Sequence, residues 1–395
     1  MPDTKRLLCV TNIPTPYRTH LFNALHQELS ARGASLEVLF MSSSETGRHW
    51  ASVLAGATFP HRIAWGVHPR LGRVVFHVNP GIVASVLRTP PTWLLVGGSW
   101  NMPTSAATVL GTAILKRDVP VIFWAEANLA SMDHPTGPVA ALRSMVMSRS
   151  DAFAVPGRIA EDSLRHLGIV GSRPLLLLPN VVDEQAYGEG VDRLRRDRPE
   201  LRRKWNLADD DLVLFWPARL HEQTKGLMNF LDAVKPEMSP RVKILIAGEG
   251  PDRHAIDAFL ARTEFAGVRL LGWRTDADVQ ELLAVADALL LPSLADPNPL
   301  AVVEGLWAGL PLLISDRCGN WPEAVSPDNG WVIDPGSPES MRAAFQDLVA
   351  KPAANLASLG LASRSIARER FGTRTCVAAF VDALKRLDTT SVRRG

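Results

Sequence analysis

From residue 212 onward the chain alternates two kinds of segment. Short apolar runs, LVLFWPARL, RVKILIAGEG, VRLLGW, ALLLPS and PLLISD, are followed by stretches with helical spacing, GLMNFLDAVKPEM, HAIDAFLART, DVQELLAVAD and PLAVVEGLWAGL. Strands buried on both faces read as continuous apolar runs, and strands alternating with helices form parallel sheets. WVIDPG adds a candidate last strand, and SMRAAFQDLVA and TCVAAFVDALKRLD are closing helices. The first half carries the same signal. KRLLCVTNI, LEVLFM, TWLLVGG, VPVIFWAE and AFAVPG read as strands, with helical segments such as YRTHLFNALHQELSARG, which stops at Gly33. A chain of 395 residues is long enough for two cores. The expected organisation is α/β: one domain over 1–185, a second over 186–375, and a terminal helix over 376–395 that packs back on the first. Ligands are expected at strand carboxyl ends and in the cleft between the domains.

Composition narrows the function classes. Hydrophobic residues make up 46% and charged residues 21%, as in a globular protein. The net charge of +2 gives no ground for a nucleic-acid partner. Three widely spaced cysteines, Cys9, Cys318 and Cys376, form neither a metal-ligand pattern nor a disulfide framework, which fits a reducing, cytoplasmic compartment. No apolar stretch reaches transmembrane length, and the opening residues are too short a run for a signal peptide. The charged segment VDRLRRDRPELRRKWNLADDD reads as a solvated helix at a domain junction, or as a basic patch facing anionic lipid or substrate. Arg70, Arg73 and Arg88, with Trp65 and Phe76, offer a weaker basis for peripheral membrane contact, since arginines near apolar residues commonly snorkel.

Three stretches carry candidate chemistry. In WPARLHEQTKG, Arg219 and Lys225 follow a strand end, where two cations can clamp an anion; an ordinary solvated loop is the alternative. In AGEGP, Gly248 permits close backbone approach to a ligand, or simply makes a turn. In SLADPNPLAVVEG, Asn298 and Pro299 suggest a helix start, with Leu300, Val303, Leu306, Trp307 and Leu310 on one stripe. Glu304 falls on that stripe, and a buried acid needs a partner. Asp296, just ahead of the helix, is a turn residue or a ligand for hydroxyls, and Glu304 an ion-pair partner or a ligand for a ribose. TDAD at 275–278 resembles a DxD metal site but more readily caps the next helix. The ten histidines form no zinc motif, and Ser99 lacks a nucleophile-elbow spacing, so no metal and no hydrolase chemistry is expected.

In order along the chain, ARL…KG, AGEGP, LLGW, ADALLLPS and DPNPLAVVEGLWAGLPLLIS resemble the GT4 family of retaining glycosyltransferases, which have the GT-B fold of two Rossmann-like domains facing each other across a cleft. DPNPLAVVE is similar to the family's pair of acids eight positions apart, with Asp296 first and Glu304 second. LLPNVVD resembles the family's close to the first domain, and TNIPTPYRTHLFNAL its amino terminus. The resemblance implies that Arg219 and Lys225 neutralise a donor diphosphate and that Glu304 holds the nucleotide ribose. It places Asp296 and the backbone of Pro297, Asn298, Pro299, Leu300 and Ala301 at the transferred sugar, and Trp273 and Arg274 near the base. It implies no cofactor or metal: a UDP- or GDP-sugar is a co-substrate, and the acceptor is a glycan, a lipid-linked glycan or a small molecule. Asp296 is one methylene shorter than the usual Glu. Glu126 stands where many members have a nearby His, and is either an acceptor-side catalytic group or a structural acid at a strand end. A sugar-nucleotide epimerase and a non-catalytic binding protein of the same architecture are the alternatives.

Overall fold

The computed structural model describes residues 5–45, 53–71, 74–132, 136–263, 265 and 267–389. It divides into two units, one of residues 1–181 with 373–395 and one of residues 182–372. The division falls at Val181/Val182 rather than 185/186, and the last helix starts at Thr373.

In the first unit the strands are β1 (Lys5–Thr11), β2 (Ala34–Phe40), β3 (His61–Ile63), β4 (Arg70–Leu71), β5 (Val74–Val75), β6 (Trp93–Val96), β7 (Val121–Trp124), β8 (Ala152–Val155) and β9 (Leu175–Leu177). Seven form a sheet in the order β3-β2-β1-β6-β7-β8-β9, parallel throughout. Apart from Leu175 and Leu177 of the edge strand β9, their Leu, Val and Phe side chains are buried, as in a parallel sheet covered by helices on both faces. The helix Thr373–Thr389 supplies Val377, Phe380, Val381 and Leu384 to the core formed by Leu7, Leu21, Phe22 and Leu25. That apolar face is what returns the end of the chain to its beginning. The order reverses between β1 and β6, so their carboxyl ends flank a crevice.

The second unit holds β10 (Leu212–Pro217), β11 (Val242–Ala247), β12 (Val268–Gly272), β13 (Ala288–Leu291), β14 (Leu312–Ser315) and β15 (Gly330–Ile333). They form one parallel sheet in the order β12-β11-β10-β13-β14-β15. Here the order reverses between β10 and β13. Loops leaving those two strands at their carboxyl ends therefore lie side by side.

The charged run is helical and largely exposed, as expected of a solvated helix, but one part of it is not. It forms the helices Val191–Arg195 and Arg198–Lys204, and Arg202 is buried. Asp287, immediately ahead of β13, accepts hydrogen bonds from Arg198 at 2.6 Å, Arg202 at 2.9 Å and the Val213 amide at 2.8 Å. A carboxylate at the amino edge of the sheet thus converts part of a basic run into a buried anchor. The short strands β3, β4 and β5 and the π-helical turn Gln185–Gly190 had no sequence signal. Two or three residues cannot show a period, and two glycines in one helical turn argue against a helix.

Arg73 lies outside the described residues. Trp65 is 79% exposed, and among the described residues no helix is long and apolar enough to cross a membrane.

Candidate donor-binding site

The second unit gathers most of the candidate residues along the carboxyl edge of its sheet. Arg219 follows β10, Gly248 follows β11, Trp273 follows β12 and Asp296 follows β13. The loops carrying them are tied to each other through the backbone. The Ala218 amide donates to Ala247, Leu220 to Glu249, and Gly248 to Gly272, each at 2.8–3.0 Å. The amides of Leu294 and Ala295 both donate to the Thr224 carbonyl, and Asp296 exchanges backbone bonds with Arg317 and Gly319.

The glycines of AGEGP serve this tying. A Cβ on Gly248 would stand 1.9 Å from the Ala218 oxygen, and one on Gly250 2.0 Å from the Leu220 oxygen. The neighbour that Gly248 admits is the Arg219 loop. Gly250→Ala is therefore expected to lower unfolding stability by about 1–3 kcal/mol, because the obstructing atom is backbone and cannot swing aside. Denaturant unfolding measures it, and an unchanged midpoint would contradict the tight crossing of these loops.

Lys225 ends the short helix Glu222–Lys225, which Gly226 closes in a left-handed conformation (φ 62°). A Cβ there would meet Leu294 and the Pro292 carbonyl, so the glycine also lets the next loop come close. Glu222 accepts the Leu227 and Met228 amides at 3.1 and 2.8 Å, capping the following helix and fixing the turn. Held this way, the Lys225 ammonium forms an ion pair with Asp296. Two residues 71 positions apart, singled out separately, thus meet at the crevice. The Arg219 side chain is exposed, with no hydrogen bond or ion pair among the described residues.

The helix after Asp296 spans Leu300–Trp307, with Pro299 as its N-cap and no side-chain cap bond. Asn298 does not cap it, contrary to expectation. Its Nδ2 is buried without a partner, while Asn320 Nδ2 donates to the Pro299 carbonyl at 3.0 Å. Val302, Val303, Leu306 and Trp307 face the core, and Leu300, Ala301 and Glu304 lie on a half-buried side. The first-turn amides of Leu300 and Ala301 point along the helix axis toward the loop holding Asp296 and Pro297, a favourable end for negative charge.

Glu304 has the partner that its position demanded. Tyr187, from the π-helical turn, donates its hydroxyl to the carboxylate. Burial first, and the Asp276 charge second, push the Glu304 carboxyl up to about 7, against the effect of that hydrogen bond. Tyr187 was missed because nothing local to DEQAYGEG links it to a helix more than a hundred residues on. TDAD caps the helix Asp276–Val285, with Thr275 as the N-cap and Asp278 completing a capping box. Among the described residues no group of His, Cys, Asp and Glu could hold a metal ion. Trp273 is 53% exposed, whereas Arg274 stacks 5.5 Å from the Trp205 ring and donates to the Leu271 carbonyl.

Glu126 belongs to the first unit, just beyond β7. Arg18 donates to its Oε2 at 2.7 Å and to Thr11 Oγ1 at 3.0 Å, and stacks 4.2 Å from the Trp124 ring. Arg18 is buried, so Glu126 is at least the counter-ion of an otherwise uncompensated guanidinium. Its Oε1 has no partner. Arg18 was not singled out in the sequence, where it reads as one more polar residue of a first helical turn.

Residues 197–364 match the family described as glycosyl transferases group 1. Over that segment the chain is similar to the group 1 glycosyl transferases. An Escherichia coli relative, a UDP-Gal:alpha-D-GlcNAc-diphosphoundecaprenol alpha-1,3-galactosyltransferase, is 26% identical over 166 residues, covering 40% of this chain and 41% of its own. The N-acetyl-alpha-D-glucosaminyl L-malate synthase of Bacillus anthracis is 25% identical over 159 residues, covering 40% and 39%. The chain spans about half the length of the curated relatives it matches, or less. The crystal structure of Anabaena HepE with UDP and glucose superposes over 97% of this chain and 100% of its own, with a TM-score of 0.74 and 16% identity. Sucrose-phosphate synthase from Thermosynechococcus elongatus does so over 98% and 100%, with a TM-score of 0.74 and 14% identity. The fold is GT-B, and the segment similar to group 1 glycosyl transferases lies within its second unit.

Proposed function

We propose that the protein is a retaining hexosyltransferase that moves a sugar from a UDP- or GDP-sugar to an acceptor hydroxyl. The observation that carries the reading is the meeting of Lys225 and Asp296 ahead of a helix amino terminus, at the strand reversal of a group 1 domain. As the anomeric C–O bond breaks, its electron pair goes to the departing diphosphate. The charge that develops there is met by Lys225, Arg219 and the first-turn amides, so the reading assigns no metal. The acceptor oxygen bonds to the anomeric carbon on the same face, and its proton passes to the departing phosphate oxygen. Asp296 and the backbone from Pro297 to Ala301 would hold the sugar, Gly248 and Trp273 would border the nucleotide, and Arg274 would lie near the base. Glu126 would act on the acceptor side. A polysaccharide, a lipid-linked glycan or a natural product fits as acceptor, at the cytoplasmic face of a membrane or in solution.

The test is a panel of UDP- and GDP-sugars, scored for hydrolysis and for transfer to added acceptors. Release of nucleotide from one donor supports the reading; no binding of any would overturn it, and conversion of the sugar without acceptor would make the protein an epimerase.

Glu304, as the ribose ligand, makes a pH prediction. Its raised pKa means that the fold favours the protonated carboxyl, a stabilisation present below the ordinary carboxylate range and lost as pH rises through about 7. Two hydroxyls of a ribose are better held by the carboxylate. Donor affinity should therefore fall as pH drops through about 7, by roughly tenfold per unit further down. Calorimetry of nucleotide binding across pH checks this, and Glu304→Gln should flatten the profile. A wild-type profile without a step near neutrality would remove Glu304 from the ribose.

A further inference from the structure

The amino edge of the second sheet, opposite the candidate donor site, contains a cavity of about 550 Å³. Its floor is the chain just ahead of β13 and β14: Ala286, Asp287, Leu310 and Pro311. β13 is four residues long, so this floor is about 13 Å from the strand ends that carry Asp296. One wall is the helix Ala353–Arg370, and another is formed by the helices of the charged run. The helix wall is pressed close to the floor: a Cβ on Gly360 would stand 2.2 Å from the Gly309 oxygen, and Ser363 donates to the Leu310 carbonyl at 2.7 Å.

Four guanidiniums converge on the cavity, those of Arg195, Arg198, Arg364 and Arg368, against two carboxylates, Asp192 and Asp287. The acids are already engaged. Arg364 takes Asp192 with both terminal nitrogens, at 2.9 and 3.1 Å, and Asp287 is shared by Arg198 and the buried Arg202. Arg195 reaches Asp192 only at 3.6 Å, too long for a hydrogen bond. The Arg368 side chain has no hydrogen bond or ion pair among the described residues, although its charge acts on Asp192 together with those of Arg364 and Arg195. Nε of Arg198 and Nε of Arg364 are buried with no acceptor. Burial first, with the neighbouring Arg364 and Arg198, pushes the Arg195 guanidinium down to about 10 despite the nearby Asp192. A preformed site with surplus cations, fork-shaped donors and missing acceptors is complementary to a tetrahedral oxyanion. The space exceeds what inorganic phosphate fills, and Leu310, Pro311 and Leu356 line the remainder.

We propose that this amino-edge cavity is a second ligand site, which binds a phosphate monoester through Arg195 and Arg368 and is separate from the donor site. The phosphoryl oxygens supply the hydrogen-bond acceptors that the Arg195 and Arg368 side chains lack, and the carbon part of the ester lies against Leu310, Pro311 and Leu356. Either a soluble phosphate ester or the headgroup of a phosphatidate can present that chemistry, and Leu361 at the rim is 74% exposed.

The experiment is thermal unfolding and calorimetry of the full chain with inorganic phosphate replacing chloride at constant ionic strength, with glycerol 3-phosphate in a second series. Phosphate should raise the melting temperature of the wild type and of Lys225→Ala alike, and its affinity should fall at least about tenfold in R195Q/R368Q. Binding of UDP should be unaffected in R195Q/R368Q, which separates this site from the donor reading. No response in the wild type, or an equal response in R195Q/R368Q, would overturn the proposal. Should R195Q/R368Q fold poorly, R368Q alone alters an exposed side chain, and unaltered phosphate affinity in it would overturn the proposal as well. Flotation with phosphatidate and phosphatidylcholine vesicles distinguishes the sources. Vesicle binding lost in R195Q/R368Q assigns a lipid headgroup, and a glycerol 3-phosphate response without vesicle binding assigns a soluble ester.

Discussion

Lys225→Ala should lower the rate of sugar transfer by about 10²–10³-fold, the usual consequence of removing one group aimed at charge that develops in the transition state. The rate loss should exceed the loss in donor affinity. In the unliganded protein the Lys225 charge is already met by Asp296, so its additional effect comes when the departing diphosphate competes for it. Arg219→Ala should behave differently. Its guanidinium is exposed and has no partner among the described residues, so its interaction with the diphosphate is made in the ground state as well. Nucleotide affinity should fall along with the rate. Single-turnover transfer and calorimetry with UDP read the two quantities apart. Unchanged UDP affinity and rate in both variants would sink the assignment of this clamp.

Asp287→Ala should be among the most destabilising single changes in the second unit, by about 3–5 kcal/mol. The carboxylate receives two guanidiniums and one strand amide, and the Arg202 side chain is only 5% exposed. Truncation leaves a buried cation without a counter-ion at the edge of the sheet, which is costlier than the gain from the original pairing. Denaturant unfolding measures the loss. A loss of about 1 kcal/mol or less, as an exposed ion pair gives, would mean that water reaches Arg202 freely. Asp287→Asn should be milder, because an amide oxygen still accepts the Val213 amide and one arginine.

The alternation of strands and helices was legible because strands covered on both sides must be apolar along their whole length, and β1, β2, β6 to β8 and β10 to β15 follow runs that could be picked out by eye. The strands too short to carry a period were not legible. The clamp was half legible. Arg219, Lys225, Asp296 and Glu304 could each be suspected from chain position, but the pairing of Lys225 with Asp296 is a product of the strand reversal, which only the sheet order reveals. Asn298 shows the limit of local rules. It occupies a cap-like position, yet the helix begins one residue late, because Pro299 is extended and its carbonyl is held by Asn320. Tyr187 and Arg18 were illegible for another reason: each acts through a partner more than a hundred residues away.

The rim of the candidate donor site is stitched by main-chain hydrogen bonds from loop to loop, from 272 to 248, 247 to 218, 224 to 294 and 296 to 319. Main-chain bonds do not depend on which side chain a position carries. Apart from the glycines, whose replacement would force the loops apart, and side chains such as Glu222 and Asn320 that bond to the main chain, the residues on this rim can be exchanged without disturbing its outline. On the proposed function, a lineage can change its sugar by substitutions at positions such as Asp296 while the scaffold that presents them is inherited intact. Divergent selectivity on a constant frame is then the expected history of such a rim, and low sequence identity between chains that superpose closely is its natural outcome.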